Sequence, residues 1–256
     1  WCFYVYWCVW CIFFFFFGVF FFKAEEGIGV FCLSGGLGKV YRDSYVGCDV
    51  GRGLGYSYNG ENFDGSSSSG PGYGNQPPAI GIDFFEGPYQ DPDGINNAYG
   101  IGEGEALNGI GYRNPADSLT SNGVDSIIDN ERFGMRRFIY HQNSGGPVAT
   151  QGPSIAVQYY QMMRGIWRDQ TPMTFGGQGY APGGSALTAD FMFPGDTDPL
   201  NWGTDGVDPN YSTAGGWTEE NEGNAAEDRR FLQSAGPFTL DPGEFNNITV
   251  GAVFAR

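Results

Sequence analysis

The sequence predicts a mainly β protein, a β-sandwich-like domain with long Gly-rich loops and one packed amphipathic helix. Glycine contributes 43 of the 256 residues, aromatic residues make up 17 % and charged residues only 16 %. An average soluble domain has about 7 % glycine and ~25 % charged residues. Helical bundles need many Ala, Leu, Glu and Lys residues, so this composition disfavours them and favours strands joined by turns.

Short apolar runs that end at turn residues predict the strands, because strands are short and rich in β-branched and aromatic residues. We predict strands over 79–85, 135–141, 190–193, 230–232, 238–240 and 248–254. Turn residues separate these runs, as Asp241-Pro242-Gly243 does near the end of the chain. Their spacing is irregular, and the pattern as a whole favours a sandwich.

One segment, 153–168, has the periodicity of a helix. Pro153 suits a first helical position. Apolar residues then recur at steps of four, three and four, at Ile155, Tyr159, Met162 and Ile166. A neighbouring stripe widens this apolar face, with members Ala156, Tyr160, Met163 and Trp167. A face of this width indicates a helix that packs against the sheet.

The first 42 residues differ from the rest of the chain. Fourteen of the first 22 residues are aromatic, and four of the five cysteines precede residue 43. The run is long enough for a membrane span, but it lacks the basic start and the small-residue cleavage site of a secretory signal. A third interpretation is a non-native stretch, read in the wrong frame from T- and G-rich DNA. We favour this third interpretation over a degraded signal or membrane-like segment.

Residues 1–42 are therefore excluded from the predicted domain. We expect residues 43–256 to form a single extracellular β-rich domain, without a membrane span, that is a fragment of a larger protein. The net charge of −16 argues against nucleic acid as a partner, since phosphates must be neutralised by Lys and Arg.

The sequence nominates no catalytic residue. His141 is the single histidine, and Ser–His catalysis needs a histidine held between a hydroxyl and an acid. The G-x-S-x-G nucleophile motif is absent from the sequence. We interpret His141 as structural, and non-enzymatic function is the favoured interpretation.

Three acidic, Gly-rich loops carry candidate metal ligands. These are Asp91, Asp93 and Asn96 in the first loop, Asp125, Asp129 and Glu131 in the second, and Asp196 and Asp198 in the third. Calcium binds six to eight oxygens from carboxylates, amides and backbone, so these loops predict Ca²⁺ as a cofactor. The same residues also favour ordinary Asx turns, and both interpretations stay open.

Three aromatic residues in polar, Gly-rich loops are candidate ligand contacts: Trp202, Tyr211 and Trp217. Such loops predict exposed rings, which could stack on the faces of sugars or on a partner surface. We favour the other interpretation, in which each ring anchors its long loop to the core.

Several stretches together resemble modules of large secreted or cell-surface proteins of Bacteroidota that are exported by the type IX secretion system. They include "PPAIGIDFFEGPYQDPDG" (77–94), "DNERFGMRRFIY" (129–140), "DFMFPGDTDPLNWG" (190–203) and "DRRFLQSAGPFTLDPGEFNNITVGAVFAR" (228–256). The resemblance covers 43–256 and implies an extracellular or cell-surface location. It implies no catalytic residue.

Two functions follow as hypotheses. The first is a non-enzymatic extracellular structural or binding module of a large surface or secreted protein, stabilised by Ca²⁺. Its partners would be other domains of the same polypeptide or surface partners. The alternative is a carbohydrate-binding or hydrolase-associated fragment, whose partners would be glycans.

Overall fold

The computed structural model of the chain describes residues 44–65, 72–97, 127–142, 146–181 and 186–256, together with the backbone of residues 18–23 and 28–35. In chain order the strands are β1 (Gly18–Lys23), β2 (Ile28–Gly35), β3 (Ser44–Asp49), β4 (Leu54–Asn59), β5 (Phe63–Asp64), β6 (Gly74–Asn75), β7 (Ala79–Glu86), β8 (Arg137–Gln142), β9 (Arg229–Thr239) and β10 (Thr249–Ala255). The helix α1 spans Ala156–Met163.

The strands form two four-stranded antiparallel sheets and one small hairpin. The first sheet has the order β1-β2-β9-β8, the second has the order β10-β7-β4-β3, and β5 pairs with β6. This architecture confirms the predicted mainly β fold. Strands β1 and β2 come from the segment 1–42, and β2 pairs with β9 from Ile28 to Gly35. The origin of residues 1–42 stays a prediction.

The two large sheets pack face to face over one core. Strands β3 and β4 contact β9 across the interface. The sheets approach closely at Gly55, where an added Cβ would lie 2.7 Å from the ring of Phe138. Phe84 of β7 and Phe231 of β9 are each only 1 % exposed. Burial of such aromatic side chains from both sheets is the main force that holds them together.

Most strand predictions are confirmed, and two details are wrong. The predicted strands 79–85, 135–141 and 248–254 correspond to β7, β8 and β10. The runs 230–232 and 238–239 belong to the single strand β9, because residues 233–235 between them continue its ladder with β2. Residues 190–193 form no strand, because Phe191 makes only an isolated parallel bridge to Phe138.

The predicted helix is confirmed but shorter than 153–168. It begins after Ile155, which has an extended backbone, and ends before Arg164. Met162 and Met163 at its end are buried, whereas Ile155 is 57 % exposed. The second half of α1 therefore reaches the core, where Tyr159 and Tyr160 also pack. Within the part of the chain described here, no helix has the length and apolar character that a membrane span requires.

Candidate binding cleft

A cleft of about 340 Å³ opens in the long loop that follows Phe193. Its lining includes three carboxylates and four aromatic rings, those of Asp196, Asp198, Asp208, Phe175, Phe191, Tyr211 and Trp217. Ligand pockets commonly measure about 300–1,000 Å³ and combine apolar walls with a few polar groups. The cleft therefore has the size and composition of a small-ligand site.

Asp198 shapes one wall of the cleft. Its Oδ1 accepts a hydrogen bond from the backbone N–H of Trp202 at 2.8 Å, and its Oδ2 accepts one from Gly203 at 2.7 Å. These bonds order the 3₁₀ turn Trp202–Thr204. Burial raises the pKa of Asp198, although the two N–H donors act in the opposite direction. A short acidic side chain four residues before the turn is therefore a capping group here.

A backbone bridge closes the opposite wall. The N–H of Gly195 donates to the carbonyl of Trp217 at 3.0 Å. Gly216 has φ +72°, and a Cβ there would overlap the carbonyl of Gly195. Only glycine fits this position, because it lacks a Cβ and adopts positive φ without strain.

Packed rings form the floor of the cleft. The Trp217 ring centroid lies 4.5 Å from that of Phe175 and 5.2 Å from that of Phe193. Tyr211 stacks edge-on against Phe175 at 5.8 Å, and its hydroxyl donates to Glu222 at 2.8 Å. Ring pairs at these separations stabilise each other by about 0.5–1.5 kcal/mol beyond burial alone.

The charge of the cleft is negative. The described residues that line it include Asp196, Asp198 and Asp208 and no Lys, Arg or His. Asp208 accepts a hydrogen bond from the N–H of Asn210 at 2.7 Å, and Asp198 is used as a cap. The exposed carboxylate of Asp196 makes no hydrogen bond to the described residues, so it is available to a ligand.

The structure brings together residues from two of the sequence predictions. Asp196 and Asp198 of the third acidic loop line the same cleft as Tyr211 and Trp217. The expectation of exposed rings is wrong for Trp202 and Trp217, which are 6 % and 1 % exposed. Trp202 does not line the cleft. These two rings anchor their loops to the core.

Phe175 contributes to the floor, although it is not among the ligand contacts predicted from the sequence. It precedes Gly176 and Gly177, which both have positive φ. An aromatic residue directly before a Gly-Gly turn indicates a packed ring at the edge of a loop, because the two glycines allow the chain to turn away from it. The partner rings of Phe175 lie 36 and 42 residues away at Tyr211 and Trp217, so local pattern does not reveal their contact.

The first two acidic loops also meet, at a different place. Asp129 Oδ1 accepts hydrogen bonds from the N–H groups of Asp93 and Gly94, each at 2.9 Å. Buried Glu131 accepts one from Asn97 at 2.6 Å. Two segments that are more than thirty residues apart are thus joined by carboxylate-to-backbone bonds.

The remaining predicted metal ligands have separate positions. Asp91 accepts hydrogen bonds from the N–H and hydroxyl of Thr239 at the end of β9. Asn96 is half-buried within the first loop, and Asp125 lies outside the described residues. Over the described ranges, no group of three or more His, Cys, Asp or Glu side chains is placed to hold a metal ion. The carboxylates bind backbone donors, as in Asx turns, and calcium binding stays a prediction.

His141 lies in β8, away from the cleft lining. It is 7 % exposed. Burial and the neighbouring charge of Arg230 lower its pKa to about 4. A Cβ on Gly152 would lie 2.9 Å from its Nδ1, so the imidazole packs directly against the backbone of the next segment.

The fold and the cleft define the chain as a mainly antiparallel β protein with an acidic, ring-floored cleft in a long loop. No protein-family model matches the chain, and no curated protein or solved structure matches it.

Proposed function

We propose that the chain is a non-enzymatic binding and structural module of an extracellular or cell-surface protein, with the cleft as its binding site. One observation carries the proposal. The cleft combines the rings of Phe175, Tyr211 and Trp217 with the available carboxylate of Asp196 in one concave site. Such combinations of apolar surface and a few polar groups are typical of ligand sites.

The walls of the cleft support a binding role because they are held in place before a ligand arrives. Asp198 caps one wall through two backbone bonds, and the Gly195–Trp217 bridge closes the other. A preformed site loses less conformational entropy when it binds. This favours recognition of a ligand without a large rearrangement.

The extracellular location is proposed from composition and from sequence resemblance. The chain carries 29 acidic against 13 basic residues, and abundant carboxylates keep a protein hydrated and soluble in salt. The stretches 77–94 and 228–256 resemble modules of type IX-exported proteins of Bacteroidota. Other domains of the same polypeptide are then the proposed structural partners.

Calcium is proposed as a stabilising ion for the paired loops at Asp93 and Asp129. Calorimetric titration of the purified chain with CaCl₂, together with melting curves in EDTA, tests this. Heat of binding and a lower Tm in EDTA would support the ion. No heat and an unchanged Tm would remove calcium from the proposal.

A ligand screen tests the binding role. The purified chain is screened by thermal shift against neutral, anionic and cationic small molecules, and hits are compared with Tyr211→Ala and Tyr211→Phe. We expect hits that Tyr211→Ala loses and Tyr211→Phe keeps, because the ring and not the hydroxyl faces the ligand. Turnover of any hit would contradict the non-enzymatic part, and a complete lack of hits would contradict the binding role.

A further inference from the structure

We propose that the cleft binds a neutral carbohydrate unit and excludes anionic sugars; this inference rests on the proposed binding function. Three properties of the cleft favour a ligand of this class: the accessible rings, the sign of the charge, and the hydrogen-bonding groups that the fold leaves unused.

The rings provide a surface for the C–H face of a sugar. Phe175 and Tyr211 are half-buried and both line the cleft. The Phe175 ring packs against Trp217, and the Tyr211 ring packs edge-on against Phe175. An aromatic ring with one packed and one accessible part is a rigid platform. Sugar rings present apolar C–H faces of matching size. Because the planes of Phe175 and Tyr211 are 72° apart, a sugar stacks on the face of one ring and contacts the edge of the other.

The charge excludes anionic ligands. Asp196, Asp198 and Asp208 face the cleft, and its described lining contains no basic side chain. A phosphate, sulfate or uronate would meet like charges with no compensating cation. Neutral hydroxyl groups have no such penalty, and they donate hydrogen bonds to carboxylates.

The unused polar groups match a polyol better than a cation. Both oxygens of Asp198 already accept backbone N–H groups, and Asp208 accepts one through Oδ1. Asp196 and the second oxygen of Asp208 are therefore left for an ammonium group. Both residues are exposed, and exposed ion pairs contribute little. The amide of Asn201, which also lines the cleft, makes no hydrogen bond to the described residues. It adds a donor and an acceptor, as a set of sugar hydroxyls requires.

The volume limits the length of the ligand. About 340 Å³ is near the lower end of the range of about 300–1,000 Å³ for ligand pockets. The cleft therefore takes one or two sugar rings, and longer glycans would be bound at an end or a branch.

A glycan array followed by calorimetry tests the inference. The array carries neutral hexose oligosaccharides, uronate-containing and sulfated oligosaccharides, and cationic glucosamine oligosaccharides. We expect the wild type to bind only the neutral oligosaccharides. Their affinity should be at least tenfold weaker for Tyr211→Ala and nearly unchanged for Tyr211→Phe. Melting curves of all variants check that each is folded.

A charge reversal tests the exclusion of anions separately. Asp196→Lys should admit anionic sugars that the wild type rejects, whereas Glu61→Lys should not. Glu61 is exposed outside the cleft, so it matches the change in net charge without changing the cleft.

The outcomes distinguish the two proposals. Wild-type binding of anionic sugars, or of amines without neutral sugars, would overturn the inference and leave the binding function standing. Lack of binding to the array, together with hits in the small-molecule screen, would also overturn the inference and leave the binding function standing. A lack of hits in both experiments would overturn the binding function as well.

Discussion

Arg229 and Glu219 form an ion pair from which water is excluded. The Arg229 Nε lies 3.1 Å from Glu219 Oε2, and their side chains are 1 % and 0 % exposed. Glu219 also accepts the N–H of Val46 at 2.8 Å, and Arg229 donates to the carbonyl of Ala225 at 3.0 Å. The pair thereby links the start of β9 to β3 of the opposite sheet.

Removal of the arginine should destabilise the fold strongly. Arg229→Met leaves the Glu219 carboxyl buried without its partner, and loss of one member of a buried pair typically costs about 3–5 kcal/mol. Arg52→Met is the matched control. Arg52 pairs with Asp49 but its side chain is 76 % exposed, so the change should be below about 1 kcal/mol. Urea denaturation measures both, and equal losses would contradict a special role for the buried pair.

The same carboxyl should make stability depend on pH. Burial raises the pKa of Glu219 to about 7 from an ordinary value of 4.5, against the opposing effect of Arg229. The folded state therefore binds more protons than the unfolded state between these values, so this contribution to the free energy of unfolding falls as pH rises from about 4.5 to 7. Measured across this window, the free energy of unfolding of the wild type should fall relative to that of Glu219→Gln as pH rises, because Gln does not titrate. Parallel profiles would contradict it.

His141 should make the free energy of unfolding depend on pH with the opposite sign. Its pKa is lowered to about 4 from an ordinary value of 6.5, so the unfolded state binds the proton first. The contribution is present above pH 6.5 and is lost as pH falls toward 4, and a shift of this size corresponds to about 3 kcal/mol. His141→Phe should remove this acid sensitivity. Persistence of the same acid slope in the variant would show that other groups cause it.

Gly216 should tolerate no side chain. Gly216→Ala adds a Cβ that overlaps the Gly195 carbonyl, at a φ of +72°. Gly177→Ala is the control, because Gly177 has φ +56° and open space around it. The control should lose only about 1–2 kcal/mol, the cost of a left-handed backbone, and Gly216→Ala should lose clearly more. Both are measured by denaturant unfolding, and equal losses would show that the Gly195–Trp217 bridge adjusts easily.

Asp198 should act as a cap for the turn at Trp202 and Gly203. Asp198→Ala removes both acceptors and should cost about 1–2 kcal/mol, as loss of a helix cap does. Asp198→Asn keeps one acceptor and should lose less. Hydrogen exchange at the two amides provides a local readout, since loss of the cap should speed both. Unchanged exchange in Asp198→Ala would refute the capping role.

The strands and the helix were largely predictable because their signals are local. The apolar run at 79–85 lies within β7, and the β-branched run at 248–254 lies within one residue of the bounds of β10. The run 190–193 has the same local appearance and forms no strand, because its backbone bonds connect Phe138 and Gly203 instead of a neighbouring ladder. The segment reaches the edge strand β8, but the pairing ends after one bridge at Phe138, so its strand propensity is not realised as a ladder.

The candidate site was predictable only in part. Asp196, Asp198, Tyr211 and Trp217 were selected from polar loops, and they line one cleft. The burial of Trp217 and the contribution of Phe175 were not predictable, because both depend on ring contacts between separate loops.

By itself the sequence determined a β-rich, strongly acidic chain with turn-rich loops, since composition and short-range periodicity depend on neighbouring residues alone. The tertiary structure decided which of those acids cap turns, which pair with arginine and which stay open to solvent. Glu219 meets Val46 across 173 positions, and Asp129 meets Asp93 across 36. Contacts of that range are set by how the two sheets pack, and burial then assigns each carboxyl its charge and its role.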